Sequence, residues 1–283
     1  MSIAPLAGGN EVPLEIGTVQ VDDAAAAFEP MDLLAGPAAP SMAAMCNRTG
    51  IETSKNGGPM VYKVGAKLDA WQAVDEQFCL ARSYAIDDGA SLAATAQGFT
   101  QAQIEEQCVA FAPSMREYVG RLVSEGPEKL GDGLRKFVAD TGIPAAQLSA
   151  NARICLGVGY GKDDADVALA SALVLVGLGE GAYDELVGYH LLDGFGTPER
   201  GAMGVEWLNA ATTALEDGAT PLVTADEDDR LSLLDTVSAM LMVGTTEATV
   251  VDSSADAAAA PAAPQPEAAS APAPLALPKP IAN

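Results

Sequence analysis

Three times between residues 100 and 227, a hydroxyl side chain stands three positions ahead of Gln or Glu, beside an apolar run of helical period. Thr100-Gln101-Ala102-Gln103 leads into Ile104, Cys108 and Phe111. Ser114-Met115-Arg116-Glu117, just after Pro113, leads into Tyr118 and Leu122. Thr224-Ala225-Asp226-Glu227 leads into Leu231, Leu234, Val237 and Leu241. In such a capping box the hydroxyl accepts a first-turn backbone N–H, and the Gln or Glu reaches back to the cap. Each box therefore predicts a helix start. The same periodicity predicts helices over 70–85, 130–140, 144–160, 167–178, 182–192 and 201–215. Only Met60-Val61-Tyr62-Lys63-Val64 reads as a short strand or extended arm. The expected fold class is all-α.

The ends of the chain have a different composition. Residues 255–283 hold 13 Ala and 7 Pro in 29 positions, and only Asp256, Glu267 and Lys279 are charged there. Repeated Pro blocks helix and central strand, and Ala offers little area to bury. Residues 1–43 carry Pro at 5, 13, 30, 37 and 40 with a poor apolar period. The expected organisation is a disordered arm at 1–43, a helical domain at 44–250 and a disordered Ala/Pro-rich tail at 251–283.

Charge excludes several partners. The chain carries 39 Asp and Glu against 15 Lys and Arg, a net −24. Nucleic acid and anionic membrane surfaces need clustered cations, and here the cations are dispersed among acids. The longest apolar run, Val167 to Gly179, is 13 residues, whereas a membrane span needs about 20. The first residues lack a basic stretch followed by an apolar one, so no ordinary signal peptide is read, and the cytoplasm is expected. The four cysteines are widely spaced and are expected to be reduced core thiols. Disulfides among them would move the expectation to the periplasm.

Two segments echo each other 76 residues apart. Cys79-Leu80, Tyr84 and Asp87-Asp88 match Cys155-Leu156, Tyr160 and Asp163-Asp164 in register. That spacing is twice the length of a 38-residue helix-turn-helix unit. A third segment runs from Val187 to Pro198, with a Gly194-Phe195-Gly196 turn. Trp207 follows thirteen residues after Gly194, and then comes the pair Ala210-Ala211. Over about residues 182–219 this resembles a Sel1-like repeat, a relative of the tetratricopeptide repeat. Leu156-Gly157, Tyr160 and Ala168 look like a preceding repeat with a shortened turn and no Trp. The segment departs from the family at Gly204, where Ala is usual, and at Leu191 and Leu208, which replace aromatics.

The resemblance implies stacked helix-turn-helix units forming a short solenoid, because a helix pair cannot bury its apolar face alone. Gly194 and Gly196 would supply the turn, and Trp207 would fill the wedge between helices. Cys79 and Cys155 would then lie two repeats apart, roughly 20 Å, too far to bond. Cys79–Cys108 is sterically easier if adjacent helices carry them.

Little in the chain points to chemistry. With one His, a His-x-x-x-His zinc site is impossible, and no Cys-x-x-Cys occurs. His190 as a thiol base lacks any companion group in the pattern. Gly157-Val158-Gly159-Tyr160-Gly161-Lys162 fails as a phosphate loop, because Asp163 stands where Ser or Thr must hold magnesium. Asp226 to Asp229 lacks the frame of a calcium loop and reads as first-turn acids complementing a helix dipole. Asp163, Asp164 and Asp166 read the same way. Asn47-Arg48-Thr49 is a glycosylation-type triplet, meaningful only in a secretory context. No catalytic residue, metal ligand or cofactor site is predicted.

Sel1-like proteins generally act as adaptors. The expected function is therefore a non-catalytic adaptor or scaffold that binds a protein or peptide partner through a concave helical surface. The candidate contacts are Tyr160, Asp163, Asp164, Tyr189 and His190. The alternatives are a structural part of an envelope or particle assembly and, behind it, a helical enzyme with a Cys/acid groove site.

Overall fold

In the computed structural model, residues 40–251 are described, apart from 97 and 226. The expected disordered arm and tail fall almost entirely outside that range. The described elements, in chain order, begin with α1 (Met42–Lys55), β1 (Lys67–Asp69), α2 (Ala70–Ala93) and α3 (Gln101–Phe111). A 3-10 turn (Ala112–Met115) leads into α4 (Arg116–Arg121), α5 (Pro127–Asp140), α6 (Ala145–Gly161) and α7 (Ala165–Gly177). A second 3-10 turn (Gly181–Tyr183) precedes α8 (Asp184–Asp193), α9 (Gly201–Glu216), α10 (Glu227–Met242) and β2 (Glu247–Thr249). The described residues are overwhelmingly helical, as the capping and periodicity predict. None of their helices is long and apolar enough to cross a membrane.

The core is organised around α7, whose residues are buried without a break from Val167 to Gly177. A helix apolar on all sides must be surrounded. Here α5, α6, α8 and both 3-10 turns surround it. The second organiser is α2, which packs against α1, α6, α8 and α10. Some of these neighbours are consecutive in sequence and others, such as α2 with α6 and α10, are distant, so the described helices form a bundle. The two echoing segments are accordingly not two repeats apart: α2 and α6 lie directly against each other, antiparallel, and Arg153 pairs with Asp88 across them.

The 182–219 segment is a helical hairpin. The chain turns between α8 and α9 through Gly194 and Gly196, both left-handed at φ +72° and +66°, a region that favours glycine. Trp207 is fully buried. The unusual Gly204 has a steric reason. A Cβ there would lie 2.7 Å from Leu192 Cγ and 2.9 Å from the Gly188 carbonyl oxygen. The hairpin is thus closer at this crossing than Ala allows.

Several expectations need correction. The strand lies at Lys67–Asp69, not at 60–64, and pairs antiparallel with Glu247–Thr249. The Ser114 box does not form. Pro113 falls in the first turn of the 3-10 segment, no side chain caps that segment, and α4 begins only at Arg116. No helix was expected over 42–55, and α1 begins within the arm expected to be disordered over 1–43. It starts at Met42, capped by Ser41, whose side chain accepts from Ala44 N–H.

Candidate functional site

Three of the five anticipated contact residues are fully enclosed. Tyr160, Tyr189 and His190 have no exposed surface and pack around Phe78. His190 Nδ1 lies 2.7 Å from the Phe195 carbonyl oxygen, which only a donor can satisfy. Nε2 is then an acceptor, and the Tyr160 hydroxyl donates a hydrogen bond to it at 3.2 Å. Burial drives the imidazole down to about 4, so it is neutral. This is a closed packing network with no face to offer a partner, which overturns the contact reading for these three residues.

Asp163 and Asp164 are caps. Asp164 accepts from Val167 N–H at the start of α7. Asp163, at φ +58°, accepts from the Ser41 hydroxyl and from Ala43 N–H, so it caps α1 from 120 residues away. The first-turn role read from the sequence holds for Asp164. For Asp163 the helix served is a different one.

An open, largely apolar groove lies elsewhere. It has a volume of about 590 Å³ and runs between α3, the C-terminal part of α5 and the N-terminal half of α6. Its floor includes Leu148, Ala152 and Val174. Ile104 and Phe111 of α3 form one wall, Phe137 of α5 another, and Phe99 and Ile143 stand at the lip, 53% and 40% exposed. The polar lining groups are the neutral side chains of Gln107, Ser114, Thr141, Gln147 and Asn151. Among the described residues, none that lines the groove is charged. In so acidic a chain this is a distinct surface, because it neither repels nor attracts an ion at contact. Its size is within the 300–1,000 Å³ usual for binding clefts.

Sequence reasoning missed this site while noticing its residues. Ile104, Cys108 and Phe111 follow the helical period, which predicts a helix but not what its apolar stripe packs against. Only Cys108 of α3 is buried. Ile104 and Phe111 face the groove, so the stripe lacks the partner that would complete it.

The cysteines also differ from expectation. All four pair, Cys46 with Cys79 and Cys108 with Cys155, at Cα separations of 5.4 and 5.1 Å. The reduced-thiol reading is overturned, and neither bond is the Cys79–Cys108 bridge that was considered sterically easier than Cys79–Cys155. Cys79 and Cys155 are indeed not bonded to each other. One bond ties α1 to α2. The other ties α3 to α6 within the groove wall.

Comparison with protein families, with curated proteins and with solved structures finds no match to this chain.

Proposed function

We propose that this protein is a non-catalytic binding module whose groove between α3, α5 and α6 receives one apolar face of a helix from a partner protein. The observation that carries this reading is the uncharged, largely apolar groove, with Phe99 and Ile143 exposed at its lip. Its α6 wall runs from Gln147 to Cys155, about 12 Å at 1.5 Å per residue. That matches two turns of a helix, presenting anchors at i, i+4 and i+7. Residues 40–251 carry 30 Asp and Glu against 14 Lys and Arg, so an anionic partner helix is repelled on approach. The occupant is therefore an amphipathic helix with apolar anchors and a neutral or basic outer face.

The likeness of α8, α9 and their glycine turn to a Sel1-like hairpin supports the adaptor role. The two cysteine pairs support an oxidising compartment.

The test is a fluorescently labelled 14-residue helix with Leu at i, i+4 and i+7 and Gln and Lys elsewhere, titrated with the full chain and read by anisotropy. Phe99→Asp and Ile143→Asp place a charge at the lip at exposed positions. Each is expected to weaken binding about tenfold. Val243→Asp, at a more exposed apolar position away from the groove lining, is expected to leave it unchanged. Absence of binding, or equal loss with Val243→Asp, refutes the reading.

A further inference from the structure

We infer that the Cys108–Cys155 bond is a redox latch on the groove, holding α3 in place as one wall and releasing it on reduction. The binding half of this inference rests on the docking role proposed above.

α3 is only thinly attached to the bundle along its N-terminal part. Of its eleven residues only Cys108 is buried. Ile104 is half-exposed, and Phe111 is half-buried at the end that runs into the 3-10 turn, where Met115 is fully enclosed. Among the described residues, the N-terminal part of α3 is also tied by the Lys162–Glu105 ion pair at 3.0 Å, between partly exposed side chains, and such pairs hold little. A helix this short is marginal in water without tertiary support. The Cys108–Cys155 bond is therefore the principal restraint on the N-terminal two-thirds of α3.

The second bond differs in its context. α1 also buries Met42, Met45 and Thr49, and its N-terminus is held by Asp163. Cutting Cys46–Cys79 leaves those attachments intact. Cutting Cys108–Cys155 leaves α3 held mainly at its C-terminal end, by Phe111 and the 3-10 turn.

The bond is also placed where an occupant would feel it. Cys155 is partly exposed and lines the groove beside Ile104 and Phe111. A dithiol reductant reaches it through the open cleft. Its thiolate attacks one sulfur to give a mixed disulfide and displaces the other as a thiol. Its second thiol then closes the reductant's own disulfide, leaving Cys108 and Cys155 as two thiols after transfer of two electrons and two protons. Linkage requires the converse effect: an occupant that needs the wall in place must stabilise the bond against reduction.

The experiment compares the oxidised full chain, the same chain in dithiothreitol, the Cys108→Ser/Cys155→Ser variant and the Cys46→Ser/Cys79→Ser variant. Amide hydrogen exchange and binding of the labelled helix are read on each. Reduction and the first variant are expected to speed exchange over 101–111 at least tenfold, leave α7 protected and weaken binding. The second variant should change neither reading in α3 or the groove. Saturating labelled helix should slow reduction of Cys108–Cys155 at least threefold and leave Cys46–Cys79 unaffected. Unchanged exchange in α3 after the bond is cut, or loss of α7 protection together with α3, overturns the latch. If the oxidised chain binds no helix at all, the docking role fails, and the exchange comparison alone decides whether the bond holds the wall.

Discussion

Gly89 of α2 and Gly157 of α6 stand face to face, so close that a Cβ built on Gly157 lies 3.0 Å from the Gly89 Cα and 2.9 Å from the Ala85 carbonyl oxygen. The two helices touch backbone to backbone at this crossing. The close approach sets Arg82 to donate to the Tyr160 carbonyl oxygen at 2.6 Å and brings Arg153 to Asp88. It thereby fixes α6, whose N-terminal half is one wall of the groove.

Gly157→Ala follows directly. Alanine improves helix propensity by about 1 kcal/mol over glycine. Against that, the new methyl meets backbone atoms, which cannot swing aside as a side-chain end can. Overpacking of this kind costs typically 1–3 kcal/mol. The expected net result is destabilisation, read as a lower urea midpoint. Gly161→Ala, on the same helix with open space around it, is the control and should be neutral or stabilising. A Gly157→Ala midpoint at or above wild type would show that the helices can part without loss.

A second prediction concerns how α10 is held. Arg230 donates from Nε to Gln77 Oε1 of α2 at 2.8 Å and from Nη2 to Glu185 Oε2 of α8 at 2.7 Å. Arg230 is 6% exposed and Glu185 1%. Removing one partner of a buried pair strands the other charge, at a cost of roughly 3–5 kcal/mol. Arg230→Met should therefore unfold at markedly lower urea. Arg230→Met with Glu185→Met removes both charges and should recover much of the loss. A single variant no worse than the double would mean that Glu185 finds water or another donor.

Legibility in the sequence tracked how local each cause is. The Thr100 box was readable because both of its hydrogen bonds close within four residues, and both form. The apolar run at α7 and the Gly194–Gly196 turn before Trp207 were readable for the same reason. The pairing of α2 with α6 was not, and its signal was misread. Gly89 and Gly157 announce that something comes close, but a one-chain pattern does not name the partner, and the Cys-Leu echo was taken for a repeat spacing. α1 was missed because part of its N-terminal capping comes from Asp163, 120 residues away. The groove was missed because an apolar helical stripe looks the same whether its partner is inside the fold or absent from it. Both disulfides depend on which helices meet, which spacing does not encode.

The last prediction is the pH dependence of stability. Burial pushes the Asp184 carboxyl up to about 7 and Asp193 also to about 7, the latter helped by Asp75 and Glu199 nearby. Burial, with Glu52 beside it, lifts Asp75 to about 6. In the unfolded chain these carboxyls titrate near 4. Between about pH 4 and 7 the folded chain therefore holds protons that the unfolded chain has released. Stability from these three groups is full below about pH 4 and is lost as pH rises through 6–7. His190 acts in the opposite direction. Its folded value of about 4 lies below the unfolded 6.5, so its contribution is present above 6.5 and is lost as pH falls through 4. Near pH 5.5 three proton-binding carboxyls in the fold outweigh one imidazole in the unfolded chain, and the lower net charge reduces self-repulsion. The melting temperature at pH 5.5 should therefore exceed that at pH 7.5. Asp184→Asn should raise the pH 7.5 value and flatten the dependence, because Asp184 Oδ1 is buried without a hydrogen-bond partner and burying a charge there is costly. A melting temperature that falls between pH 7.5 and 5.5 would place the dominant proton uptake in the unfolded chain, at His190, rather than on these buried carboxyls.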